Sequence, residues 1–180
     1  MIIAGIGSRT TPKSILSEMI HIGEWCRANK VAVRSGHAEG ADWAFEQGAQ
    51  ENCIAYLPWA TFNQHLQSRA HFIVPALTTE LEHSVRKYHP APNNLSPAAF
   101  KLMARNFCQI VGLDGSKLTN AVVCWTSDGK ASGGTGHALR IAADPEYNIP
   151  VLNMHSEKFN TADKVCVVLK SMFDSSIIQI

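Results

Sequence analysis

From its first residues to its last helix, the sequence alternates between short apolar runs that stop at glycine, serine or proline and longer stretches with helical spacing. Few folds satisfy that alternation. A short run without polar alternation suits a strand covered on both faces, and a helix between two such strands is the crossover that parallel pairing requires. MIIAGIG (1–7), KVAVRSG (30–36), CIAYLP (53–58), NAVVCW (120–125) and IPVLNM (149–154) are the five expected strands. Residues 12–29 carry Ile15, Leu16, Met19, Ile20, Gly23 and Cys26 at helical spacing, with Thr11 expected as N-cap and Pro12 at the first helical position. Residues 38–50 form a second helix whose inner face is small: Ala38, Ala41, Phe45, Gly48 and Ala49. Ser96-Pro97 starts a helix with Phe100, Met103, Ala104, Phe107 and Ile110 on one side, and residues 136–143 form another. Thr161 is the expected cap of a last helix, with Val165, Val168, Leu169, Met172 and Phe173 facing inward. The fold class is therefore α/β, a mainly parallel sheet of about five or more strands with helices on both faces, in a single domain over residues 1–180. Residues 59–95 are polar, end in proline and asparagine, and read as an irregular excursion carrying one or two short helices.

Charge narrows the function classes. The formal net charge of the 180 residues is +1, without the basic excess that long nucleic acid demands, although a local basic pocket for one small anion remains open. No apolar run approaches the roughly 18 residues that span a bilayer, and the start lacks the basic region of a signal peptide. The five cysteines (Cys26, Cys53, Cys108, Cys124, Cys166) form no CxxC pair and sit mostly in apolar stretches, as reduced core residues of a cytoplasmic protein do. His65, His71, His83 and His89 lack metal-ligand spacing. No metal, no cofactor and no membrane are expected.

In a parallel sheet, ligands bind beyond the carboxyl ends of the strands, near the point where strand order reverses. Three loops fall there: Gly7-Ser8-Arg9, Ser35 to Asp42, and Ser127 to Gly136. In the last, SGGTGHALRI puts Gly133, Gly134, Thr135 and Gly136 between a strand and a helix, where backbone N–H groups can meet phosphate. GxxxxGK[ST] is absent, and Thr10 stands where a GxGxxG fingerprint needs its third glycine. Arg9 can fork onto phosphate, or else is a surface arginine or pairs with Asp42. Ser35 and Gly36 make the second turn, and Gly40 allows helix and sheet to approach. Asp42 and Glu46, at i and i+4, are the candidate catalytic carboxylates; Asp42 alternatively grips a ribose hydroxyl or orders the neighbouring loop. Arg105 and Asn106 interrupt an apolar helix face, either at the site or outward to solvent. Trp125, ending its strand, either stacks a base or forms the edge of the core.

Five blocks, GIGSR, SGHAEGADWAFEQGA, ARNFCQIVGL, NAVVCW and SGGTGHALRIA followed by IPV, occur in the order seen in the DprA/Smf–Lonely Guy (SLOG) superfamily. The second block resembles most the DNA-processing protein A pattern SGxAxGxD. The resemblance implies a Rossmann-like, doubly wound sheet whose glycine loops bind nucleotides, nucleotide-derived signals or single-stranded DNA. It places Gly7, Ser8, Arg9, Ser35, Gly36, Gly40, Asp42, Arg105, Asn106 and Gly133 to Gly136 around the pocket, and makes a homodimer plausible. Phe107 stands where DNA-processing proteins have a second arginine. His137 and Arg140 replace the threonine and glutamate of the Lonely Guy motif PGGxGTxxE. The expectation is a binder of a nucleotide or nucleotide-derived phosphate, in a sensor or sequestering role. The alternatives are a nucleotide N-glycosidic-bond hydrolase or transferase working through Asp42 or Glu46, and a single-stranded DNA binder.

Overall fold

The computed structural model describes residues 1–177. In chain order the elements are β1 (Ile2–Gly5), α1 (Lys13–Ala28), β2 (Ala32–Ser35), α2 (Ala41–Ala49), β3 (Cys53–Tyr56) and β4 (His71–Ile73). There follow α3 (Thr79–Tyr88), α4 (Pro97–Val111), β5 (Ala121–Cys124), α5 (Gly133–Ala142), β6 (Val151–Asn153) and α6 (Ala162–Ile177). All six strands are parallel, in the order β4-β3-β2-β1-β5-β6. The sheet is wound one way from β1 to β4 and the other way from β5 to β6, so the order reverses between β1 and β5. This is the Rossmann-like topology.

Period-two alternation divides the core. Ile3, Val33, Cys53, Ala121 and Val123 face one side of the sheet and meet Met19, Ile22 and Cys26 of α1, Phe45 of α2, and Val165 and Leu169 of α6. Ala4, Tyr56, Val122 and Cys124 face the other side and meet Val85 of α3, Cys108 and Ile110 of α4, and Ile141 of α5. The small inner face of α2 lets it lie against α1: a Cβ on Gly23 would come within 2.8 Å of the Ala49 nitrogen, and one on Gly48 within 2.8 Å of the Glu24 nitrogen. The cysteines are free thiols, buried except for half-buried Cys166, and burial pushes the Cys124 thiol up to about 12. Among the described residues no helix is long and apolar enough to cross a membrane, and no cluster of His, Cys, Asp or Glu is arranged to hold a metal.

The structure departs from the sequence expectations in three places. Thr11 does not cap α1; its hydroxyl donates back to the Ser8 carbonyl at 2.7 Å, and Pro12 takes the N-cap position. The excursion contributes a sixth strand. β4 is only three residues long at the sheet edge, with His71 and Phe72 exposed, so it has no two-faced apolar pattern to announce it. The same excursion carries α3, capped by the Thr78 hydroxyl, which accepts from the Leu81 N–H at 3.3 Å. Finally, α5 begins at Gly133 rather than at 136, so the glycine run is the helix's first turn and not a loop before it.

Candidate functional site

A cavity of 490 Å³ opens at the carboxyl ends of β1 and β5, where the strand order reverses. Ile6, Gly7, Ser8 and Arg9 form one wall, and Thr126, Ser127, Ser132, Gly133, Gly134 and Thr135 the facing one. The third side is α4, which brings Leu102, Met103, Arg105, Asn106 and Gln109; Ala38 and Asp42 close the base. Its volume lies in the range of small-molecule sites.

The first turn of α5 is left open by its own sequence. Ser132 occupies the N-cap, yet its hydroxyl donates to Asp128 Oδ1 at 2.9 Å instead of accepting from the helix. The N–H groups of Gly133, Gly134 and Thr135 have no protein acceptor; Gly136 N–H is the first to bond, to the Ser132 carbonyl at 2.8 Å. Such N–H groups at the positive end of the helix dipole suit an anion. The glycines divide the work. Gly133 holds φ at 60°, which favours glycine, and a Cβ on Gly136 would run into the Ala131 carbonyl. Gly134 has open space, the nearest atom to an added Cβ being Met103 Cε at 3.7 Å. Asn106 fixes this turn by donating from Nδ2 to the Gly134 carbonyl at 3.1 Å.

The β1 turn is less available than the sequence suggests. Ser8 N–H donates to the Trp125 carbonyl at 3.3 Å, and the Gly7 N–H acts weakly on the Asp42 carboxylate. The Ser8 donor is therefore committed to joining β1 and β5. What this turn presents to the cavity is the exposed side chain of Arg9.

Arg105 is 6% exposed, not outward-facing. Its Nη1 donates to Gln109 Oε1 at 2.7 Å, and its Nη2 lies 3.6 Å from Asp42 Oδ2. Room for the guanidinium comes from Gly36, where any Cβ would overlap it. Arg105 Nε and Gln109 Nε2 are enclosed without an acceptor, two buried donors left unsatisfied. Gln109 was not among the expected site residues, although it lies one helical turn beyond Arg105 and the spacing was there to find it.

Asp42 does not pair with Arg9. It is buried, and burial pushes its carboxyl up to about 6, against the pull of Arg105; Glu46 pushes it further up, while the N–H groups of Ala38 and Gly7 hold it down. Glu46 lies one helical turn further along the same face of α2, outside the cavity. It is fully buried and accepts from His37 N at 2.9 Å and from His37 Nδ1 at 2.8 Å. Burial disfavours the His37 cation, but the Glu46 hydrogen bond and charge leave its pKa raised. Ser35 is a fastener: its hydroxyl reaches the Gly5 carbonyl at 2.9 Å and the Asp42 carbonyl at 3.1 Å. Gly40, at φ 84°, lets α2 start against the β1 turn, a Cβ there falling 2.7 Å from the Ser8 carbonyl. Trp125 does not line the cavity; it packs against the α1–α2–α6 cluster, its ring 6.4 Å from that of His155.

Arg140 is a brace: its Nε donates to the Tyr88 carbonyl at 2.6 Å and its Nη1 to the Ala131 carbonyl at 3.0 Å, fastening α5 to α3 and to the glycine turn. His137, one residue after that turn, points into the core with no exposure and neither ring nitrogen hydrogen-bonded.

Fold and site together define a Rossmann-like α/β domain with a ligand-sized cavity at its switch point. Two solved proteins share this architecture. DNA processing protein A from Helicobacter pylori, known for its single-stranded DNA binding mode, matches with a TM-score of 0.62 at 16% identity, over 95% of this chain and 72% of its own. The Chlamydomonas rheinhardtii Moco carrier protein matches with a TM-score of 0.55 at 14% identity, over 96% of this chain and 97% of its own. No family model matches the sequence, and neither does any curated protein. At these identities the likeness is one of fold.

Proposed function

We propose that this protein binds a nucleotide or nucleotide-derived phosphate ligand at the switch-point cavity, as a cytoplasmic sensor or sequestering protein. The observation that carries this is the pairing of three unbonded N–H groups, on Gly133, Gly134 and Thr135, with two guanidinium groups, of Arg9 and Arg105, around one cavity. The charge of Arg9 acts unfavourably on Arg105, so an anion between them relieves repulsion as well as filling the helix terminus. Hydrolysis of an N-glycosidic bond is not favoured. Asp42 is the one carboxylate lining the cavity among the described residues, and it already faces Arg105, with Nη2 3.6 Å from Oδ2. Isothermal titration with nucleoside monophosphates tests the proposal. The wild type is expected to bind, and Gly134→Asp, which has space for its side chain, is expected to lose at least tenfold in affinity while keeping its thermal stability. Equal affinity of the two proteins would refute it.

A second reading draws on the DNA processing protein A neighbour: the cavity holds a phosphate of single-stranded DNA. Oligonucleotide binding with a steep log–log salt dependence, exceeding that of a mononucleotide, would select it.

A further inference from the structure

A second, smaller cavity of 150 Å³ sits on the other side of Arg105. Pro58 closes it from the end of β3, Val74 and Leu77 from the segment after β4, Leu81 from α3, and Lys101 and Arg105 from α4. All the apolar walls just named belong to the excursion or its entry. Val74 and Leu77 are 47% and 44% exposed, apolar surface that the fold of the chain leaves uncovered. Arg105 lines both cavities, so the small one adjoins the proposed phosphate cradle with this side chain as their shared wall.

We infer that this annex receives the planar heterocycle of the ligand whose phosphate occupies the larger cavity, an inference that rests on the function proposed above. The chemistry of the walls is specific to such a group. Apolar side chains accept the faces of a flat ring, while Arg105 on one side and Lys101 on another offer cations to an electron-rich π system and to its ring acceptors. A purely aliphatic group would leave both cations unanswered, and a second phosphate would meet a mostly apolar lining. Trp125, read from the sequence as either a base-stacking ring or the edge of the core, is turned to the opposite face of the sheet, so the annex is where the structure offers a ring its surface. The excursion thereby sets which heterocycle is accepted, while the glycine turn and the arginines hold what every candidate ligand shares.

The test compares ribose 5-phosphate with the four common nucleoside 5′-monophosphates by titration calorimetry, in wild type, Ala104→Leu and Leu77→Asp. Ala104 is buried against the annex and its enlargement fills it; Leu77 is exposed, so its replacement leaves the fold intact even if Ala104→Leu fails to fold. The expected result is at least a tenfold preference of the wild type for one nucleotide over ribose 5-phosphate. Both variants lose that preference without a change in ribose 5-phosphate affinity. Equal wild-type affinities, or variants that keep the preference, overturn the annex assignment and leave the phosphate cradle standing. If none of the five compounds binds, the cradle itself falls and the annex with it. If Leu77→Asp dissociates a dimer in sedimentation velocity and leaves nucleotide affinity untouched, a second copy of the chain covers this surface and the assignment is overturned.

Discussion

His137 is a polar ring in an apolar place, and its replacement should stabilise the protein. Burial, then the nearby charges of Arg140 and His89, push its pKa from 6.5 down to about 3, with the Ser84 backbone acting weakly the other way. The folded protein therefore refuses a proton that the unfolded chain accepts between these two values, and stability is lost as pH falls through that window. At 1.36 kcal/mol per unit, the loss from this one group is about 2 kcal/mol between pH 8 and pH 5, and about 3 kcal/mol by pH 4. His137→Leu removes the titration and both orphaned nitrogens, and at pH 7.5 it should gain about 1 kcal/mol or more. Urea unfolding of both proteins at pH 8, 7, 6 and 5 measures this, because subtracting the two curves cancels the other titrations. Parallel curves would refute the depressed pKa. A variant destabilised by more than about 1 kcal/mol at pH 7.5 would show that the ring has a partner after all.

Asp42 carries the opposite dependence: its raised pKa means that the folded state holds this proton more tightly, so stability is lost as pH rises from 3.8 through about 6. The unfolding free energy of Asp42→Asn relative to wild type should thus shift in the variant's favour by about 3 kcal/mol between pH 3.5 and 7.5, read by the same denaturation. Gly36→Ala should displace the Arg105 guanidinium, costing about 1–3 kcal/mol in unfolding free energy and at least tenfold in nucleotide affinity. Arg140→Glu, which introduces the glutamate of the Lonely Guy motif at this position, should yield no N-glycosidic hydrolysis of any nucleoside monophosphate by product chromatography. Its melting temperature should fall, because two hydrogen bonds that brace the glycine turn are broken.

The sheet was legible because its strands are buried on both faces: AVVC reads as strand wherever it sits, and so do IIAG and CIAY. β4 was not legible, since three residues with two exposed side chains carry no period. The cavity was foreseen from loop placement, but the roles within it were not all distinguishable. A sequence shows that Asp42 and Glu46 share a helix face, yet not that one turns to Arg105 and the other to His37, because that depends on the left-handed backbone at His37, φ 55°. Nor does it show that the Ser8 N–H group is committed, since its acceptor comes from residue 125.

The reversal of strand order between β1 and β5 also governs how the site comes into being. Its walls are drawn from residues 6–9, 38–42, 102–109 and 126–138, so no contiguous fragment carries it. Neither half of the sheet supplies all of these walls; they come together only when the last strands dock beside the first. A molecule captured there binds the assembled domain and not its parts, and stabilises it by RT ln(1 + [L]/Kd), about 2.7 kcal/mol at a hundredfold excess over Kd. A ligand held there would thus fasten the seam of the sheet, and its removal would loosen the whole domain at once.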